Sequence, residues 1–253
     1  MTKPTTDPNA VPLKVVPDVA ALNAEAVREF CRCVEAAVAA GGRFSVALSG
    51  GNTPRGVYSL LAEDQRNALP WDKICVFFGD ERHVPPDHPD SNYRMARESL
   101  LSKVPIPSEN VFRIHTEFPA DAAADQYDRE LRAFFRLSDN AWPRFDLILL
   151  GIGECGHTAS LFPGSQALQE QSRLVVANWV EKFQSYRITF TYPVLNHAEE
   201  VLFLASGQSK SQILRDIFDP AGKNNYPAQA VRPENGKLLW IADRDAASLL
   251  KST

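Results

Sequence analysis

Cysteine is scarce in this chain and unpatterned. The four residues, at 31, 33, 75 and 155, form no C-x-x-C and no Cys/His spacing suited to zinc. That excludes a disulfide framework and the common zinc modules, and it indicates a reducing compartment. Long apolar runs are missing too: no stretch approaches the roughly twenty residues of a membrane helix. The first sixteen residues carry prolines and polar side chains but no apolar segment of the signal-peptide kind. The expected location is therefore the cytoplasm, with no membrane partner. Charge of one sign is not in excess, with 27 Lys and Arg against 31 Asp and Glu and a net charge of −4. No overall field then favours nucleic acid, and a small anionic ligand needs a local cluster of cations and backbone N–H groups. Neither a Walker loop nor G-x-G-x-x-G is present, so a nucleotide cofactor is not indicated.

What is present is an ordinary globular composition, 44% hydrophobic and 23% charged, enough for a core without disulfides or metals. Helical spacing runs through Val19, Leu22, Ala26, Val27, Phe30, Val34 and Val38, with Asp18 as N-cap and Gly41 and Gly42 as the stop. "RFSVALSGG" reads as a strand ending in glycine, and "TPRGVYSLLAED" as a helix with Thr53 as N-cap and Pro54 at its first position. Then come "ICVFFGD" as a strand, 91–101 as a helix opened by Ser91, 123–137 as a helix and "FDLILLG" as a strand. "RLVVANWV", "YRITFTY" and "EVLFLAS" are further strands, followed by a helix over 209–218, the strand "KLLWIAD" and a helix over 244–250. Short apolar strands alternating with helices predict an α/β fold with a mostly parallel sheet covered on both faces. No repeat or linker divides the chain. One domain over 1–253 is expected, with a flexible segment over 1–12 and a small subregion after residue 165, where strands run closer together.

Ligands of such sheets bind at the carboxyl ends of the strands, and three strand ends here carry unusual chemistry. "SGGNTPR" (49–55) joins a strand to a helix start. Gly50 and Gly51 let backbone approach a ligand, Ser49, Asn52 and Thr53 add short polar side chains, and the helix N-terminus is a natural phosphate cradle. "GDERHVPPDHPDSNYR" (79–94) sets Asp80 beside Arg82, a pair able to orient a proton donor and bind an anion, whereas His83 and His88 read as surface residues. "GIGECGHTASLFPG" (151–164) brings His157 into a glycine-rich loop, where an imidazole suits general acid–base work. Residues 158–162 read as one helical turn that positions the ring. Cys155 is an alternative nucleophile, though it reads better as a plain small residue.

Together these three motifs resemble those of the 6-phosphogluconolactonases, in the glucosamine-6-phosphate isomerase/6-phosphogluconolactonase family. The likeness continues through "RITFTYPVLNHAEEVLFLASGQSK", "YPAQAVRP" and "LLWIAD", over about residues 13–250. The resemblance implies a Rossmann-like fold, no metal and no organic cofactor. It implies hydrolysis of 6-phospho-D-glucono-1,5-lactone to 6-phosphogluconate in the oxidative pentose phosphate pathway, by a monomer or weak homodimer whose only partner is the small phosphosugar lactone. His157 stands where the family has its general base, and Asp80 and Arg82 match its acidic and basic pair. Residues 50–53, with Lys210 and Arg187, would hold the phosphate. One position departs from the pattern: where the family carries an aspartate two residues before the histidine, this chain has Cys155. Two alternatives follow from the same residues, an amino-sugar phosphate deaminase or isomerase, and a non-catalytic sugar-phosphate binder in which Cys155 has cost the activity. A third reading adds a redox switch at Cys155 to a working lactonase.

Overall fold

Strands that are apolar at every position belong in a sheet covered on both faces, and that is what these segments build. The computed structural model describes residues 12–219 and 225–250. In chain order the elements are β1 (Leu13–Val16), α1 (Val19–Ala39), β2 (Phe44–Leu48), α2 (Asn52–Asp64), β3 (Ile74–Phe78), β4 (Asp80–Arg82), α3 (Asn92–Ala96), α4 (Ala120–Phe135) and β5 (Leu147–Gly151). After these come β6 (Val175–Val180), β7 (Ser185–Phe190), α5 (Tyr192–Asn196), β8 (Glu200–Ala205), α6 (Ser211–Phe218) and β9 (Lys237–Asp243). Six strands form a wholly parallel sheet in the order β1-β9-β8-β5-β2-β3. Its inner strands β2 and β8 are buried along their whole length.

α1 turns Leu22, Ala26, Val27, Phe30 and Val34 inward at helical spacing, and the Phe30 ring meets Phe44 of β2 edge-on at 5.2 Å. On β3, Phe77 stacks on Phe112 at 4.5 Å and meets Phe145 edge-on at 5.2 Å. Phe203 of β8 stacks on Trp240 of β9 at 3.9 Å. Each such buried ring contributes about 1.5–3 kcal/mol through area alone, so the sheet that carries the strand-end loops is a rigid base.

A second, antiparallel sheet has the order β4-β7-β6. Two of its strands lie in the subregion expected after residue 165. The third, β4, comes from the second motif, so Asp80 and Arg82 sit on a strand, opposite Thr189 and Arg187 of β7. Gly79 is the joint between the sheets: its N–H donates to Leu48 O at 2.9 Å, and its carbonyl accepts from Phe190 N at 2.8 Å.

Several sequence expectations need correction. α2 starts at Asn52, so the N-cap is Gly51, at φ +105°, and not Thr53. The segment over 244–250 forms turns instead of a helix: after a capped first turn, with Ala246 N on the Asp243 carboxylate and Ala247 N on its carbonyl, the following bonds, Ser248 N to Asp245 O and Leu250 N to Ala247 O, are of the tighter i→i+3 kind. The helix over 91–101 is α for Asn92–Ala96 and π-helical for Arg97–Leu101. β1 was not read from sequence at all, since its two central side chains are exposed. Pro12 belongs to that edge, accepting from Trp240 N at 2.9 Å; the rest of the segment expected to be flexible, 1–11, lies outside the described residues.

Candidate active site

The carboxyl ends of β2, β3 and β5 open onto a cleft of about 390 Å³, and the three motif loops line it. The first loop is clamped from beneath. The Tyr58 hydroxyl of α2 accepts from Ser49 N at 3.0 Å and donates to Ser49 O at 2.9 Å. Gly50 and Gly51 form the cleft wall. Asn52 and Thr53 face an adjoining recess of about 290 Å³, with Ser206, Ser209 and Lys210. Ser49 lines neither; its hydroxyl is buried without a partner.

Asp80 is buried, and its carboxylate accepts from Ser160 Oγ at 2.7 Å and from Asn92 Nδ2 at 3.3 Å. Ser160 is itself pinned, its N–H donating to Thr189 Oγ1 at 3.2 Å and its carbonyl accepting from Asn178 Nδ2 at 2.8 Å. Asp80 is thus a fixed negative charge on the cleft wall, joined through neutral donors to both the third loop and the second sheet. Its neighbour Glu81 points elsewhere and accepts from the N–H groups of Arg82, Asn92 and Tyr93 and from Ser91 Oγ. Burial pushes the Glu81 carboxyl up, against the pull of those backbone donors. Arg82 faces the cleft and donates to Asp90 O at 2.6 Å. Outside the cleft, His83 meets Phe118 O at 2.8 Å and His88 accepts from Asp90 N at 3.1 Å.

The third loop is a small knot. Gly153 N donates to His157 O, and Gly156 N to Gly153 O, both at 2.9 Å. The imidazole lies so close to Gly153 that a Cβ there would fall 1.8 Å from Cε1. Phe162 stacks on the ring at 4.1 Å and 19°. The expected helical turn over 158–162 is instead a reverse turn closed by Leu161 N to Thr158 O at 2.9 Å, with Ala159 left-handed at φ +45°. Thr158 Oγ1 donates back to Gly151 O at 3.0 Å.

Burial holds the imidazole well below its usual range, and Lys210, Lys182, Arg187 and Arg82 push in the same direction, to about 4. At neutral pH the ring is therefore uncharged and has a lone pair to offer. Cys155 Sγ lies 3.1 Å from Nδ1. When Nδ1 donates to that sulfur, the lone pair is on Nε2.

Lys210 lines both the cleft and the recess. It follows Gly207, whose N–H is held by the Asp243 carboxylate at 3.0 Å. Arg187 is half-buried beside the cleft, not on its wall; its guanidinium lies 5.0 Å from the Phe183 ring centre, and Nε has no partner. Sequence reading missed three contributors: Asn92, Ser160 and Lys182. Asn92 lies in the second motif and Ser160 in the third. Lys182 has no motif, and only the folding of the β6–β7 hairpin brings it in. Among the described residues no cluster of three His, Cys, Asp or Glu is placed to hold a metal ion.

A parallel α/β sheet with a cationic, glycine-walled cleft at its carboxyl edge belongs to the class of folds that take a small anionic substrate there. The chain is a member of the glucosamine-6-phosphate isomerase/6-phosphogluconolactonase family, whose model matches residues 17–240. It is 42% identical to a 6-phosphogluconolactonase of Nostoc over 94% of this chain and 98% of that one. It is 40% identical to the human 6-phosphogluconolactonase, over 82% and 81%. Among solved structures, 6-phosphogluconolactonase from Trypanosoma brucei superposes with a TM-score of 0.86 at 31% identity, over 95% of this chain and 99% of that one.

Proposed function

We propose that this chain hydrolyses 6-phospho-D-glucono-1,5-lactone to 6-phosphogluconate, with His157 as general base. The observation that carries the reading is an uncharged imidazole held against Gly153 and Phe162 in a cleft lined by Arg82, Lys182 and Lys210, next to a helix-start recess suited to phosphate. It joins the lactonase names of relatives that align over nearly the whole chain.

The substrate phosphate lies in the recess, on the free N–H groups of the first turn of α2, with Thr53 and Lys210 beside it. Bonds between phosphate and charged donors are about twice as strong as neutral ones, so this end anchors the molecule and presents the lactone ring to the cleft. His157 Nε2 takes a proton from water as the oxygen adds to C1. The resulting imidazolium returns that proton to the ring oxygen as the C1–O bond breaks. Asp80, held by Ser160 and Asn92, orients sugar hydroxyls, and Arg82 draws on negative charge. A rigid, correctly placed base contributes about 10²–10⁴-fold. We place this activity in the cytoplasm; among the described residues no helix is long and apolar enough to cross a membrane.

Lactone disappearance, corrected for spontaneous hydrolysis, tests the proposal on the purified protein. Saturable acceleration is expected, with far weaker turnover of the unphosphorylated lactone. Ammonia release from glucosamine 6-phosphate would overturn it in favour of the deaminase reading, and phosphosugar binding without acceleration would favour the non-catalytic one.

A further inference from the structure

Three cations, Arg82, Lys182 and Lys210, line the cleft with His157, and the phosphate recess shares just one of them, Lys210. The recess at the start of α2 already offers Lys210, the hydroxyls of Thr53 and Ser209, and free backbone N–H groups. Lys182 is not part of that recess; it lines the cleft, as do His157, Cys155 and Arg82. Its electrostatic effect on the imidazole is second only to that of Lys210 among the charged groups.

A chain of rings links the turn that carries Lys182 to the base. Lys182 sits in a single 3₁₀ turn, Glu181–Phe183, at the tip of the β6–β7 hairpin. Phe183 meets Phe162 edge-on at 5.9 Å, and Phe162 stacks on His157. Gln184, left-handed at φ +47°, closes the turn by donating to Glu181 O at 3.0 Å and Oε1 at 2.7 Å. The other Glu181 carboxylate oxygen accepts from Trp179 Nε1 at 2.9 Å. Among the described residues Lys182 therefore has no carboxylate within ion-pair distance, only the Phe183 ring at 5.6 Å. It is a cation without an ion-pair partner among the described residues, on the wall of the cleft that holds the base and outside the lining of the phosphate recess.

We propose that Lys182 is a catalytic residue at the C1 end of the substrate, where its ammonium stabilises the oxyanion formed by water addition and then the product carboxylate. The proposal rests on the lactonase reading above. When the water oxygen bonds to C1, the carbonyl π pair moves onto its oxygen and the proton goes to His157. On collapse the C=O re-forms, the bond from C1 to the ring oxygen breaks, and His157 returns the proton to that oxygen. The acid so formed ionises at neutral pH, leaving a carboxylate where the oxyanion stood. Lys182 stays protonated throughout and favours both negative states over the neutral lactone, so its effect is felt in kcat and in product affinity more than in KM.

The test is steady-state lactonase kinetics on wild type, Lys182→Gln and Lys182→Arg. It is paired with dissociation constants for 6-phosphogluconate and for glucitol 6-phosphate, which has the phosphate but no carboxylate. Loss of one oxyanion-stabilising group at a partly exposed site is expected to lower kcat about 10- to 100-fold in Lys182→Gln, with KM within about threefold. 6-Phosphogluconate should weaken about tenfold while glucitol 6-phosphate does not, the pattern of a contact to the carboxylate alone. Lys182→Arg should recover most of the rate. Equal weakening of both ligands with kcat intact would overturn the proposal by placing Lys182 on the phosphate. No change in any quantity would overturn it by making Lys182 a solvated bystander. Failure of the lactonase reading shows separately, as wild type that does not exceed spontaneous hydrolysis.

Discussion

His157 has its basicity held down by burial and then by Lys210, Lys182, Arg187 and Arg82, so in the free protein it stays uncharged until the pH falls to about 4. A bound phosphate dianion offsets those cations and makes the imidazolium easier to form. The acid limb of kcat/KM reports the free enzyme and the limb of kcat the complex. With the substrate's own phosphate ionisation allowed for, the first is expected near pH 4 and the second at higher pH, in profiles followed by NMR of the lactone. A kcat limb at or below that of kcat/KM would contradict the coupling. Stability moves with the same group. The unfolded chain takes up the His157 proton near pH 6.5 and the folded one only near 4, so this contribution is complete above 6.5 and is lost as the pH falls towards 4. Denaturant midpoints for His157→Gln should therefore fall less steeply across that window than those of wild type. Cys155 gives a second handle, because its sulfur touches Nδ1 at 3.1 Å. In Cys155→Asp a carboxylate there stabilises the imidazolium and is expected to raise the His157 pKa by about 1–3 units, read from the ring protons. An unmoved titration would show that residue 155 does not reach the ring electrostatically.

At the scale of elements, the site depends on how two sheets meet at Gly79 and how the Asp80–Ser160 contact ties the third loop to β4. Ser160→Ala leaves a buried carboxylate short of a donor, at a cost of about 1.5–3 kcal/mol. For a chain of this size that lowers the melting temperature by about 2–4 °C per kcal/mol, a fall that calorimetry would detect. The alternation of apolar strands with helices was legible in the sequence because each strand's own side chains are buried on both faces. β4 was not legible, since "DER" is three polar residues whose pairing is decided by β7, far along the chain. The helix expected over 244–250 starts and does not continue: Asp243 caps a first turn, and the next bonds, from Ser248 and Leu250, are of the i→i+3 kind, a change that the spacing of apolar side chains does not announce. Loops near the site follow the same division. The glycines and His157 stand out in sequence, whereas Lys182 enters only through the hairpin and Ser49 is turned inward by Tyr58.

At the scale of the whole molecule, the net charge of −4 gives no hint of a cleft lined by Arg82, Lys182 and Lys210. The attraction for an anionic substrate is thus local and open to salt. Raising ionic strength from about 0.05 to 0.5 M, which shortens the Debye length several-fold, is expected to raise KM more than it lowers kcat. A KM indifferent to salt would argue against charge recognition of the phosphate. All of this rests on His157 as the group that moves the proton. Its most direct test is the net rate of lactone hydrolysis, spontaneous background subtracted, for wild type against His157→Ala, with 6-phosphogluconate binding measured on both. A fall of about 10²–10⁴-fold in kcat with binding retained is the predicted result. Near-normal turnover in His157→Ala would contradict it.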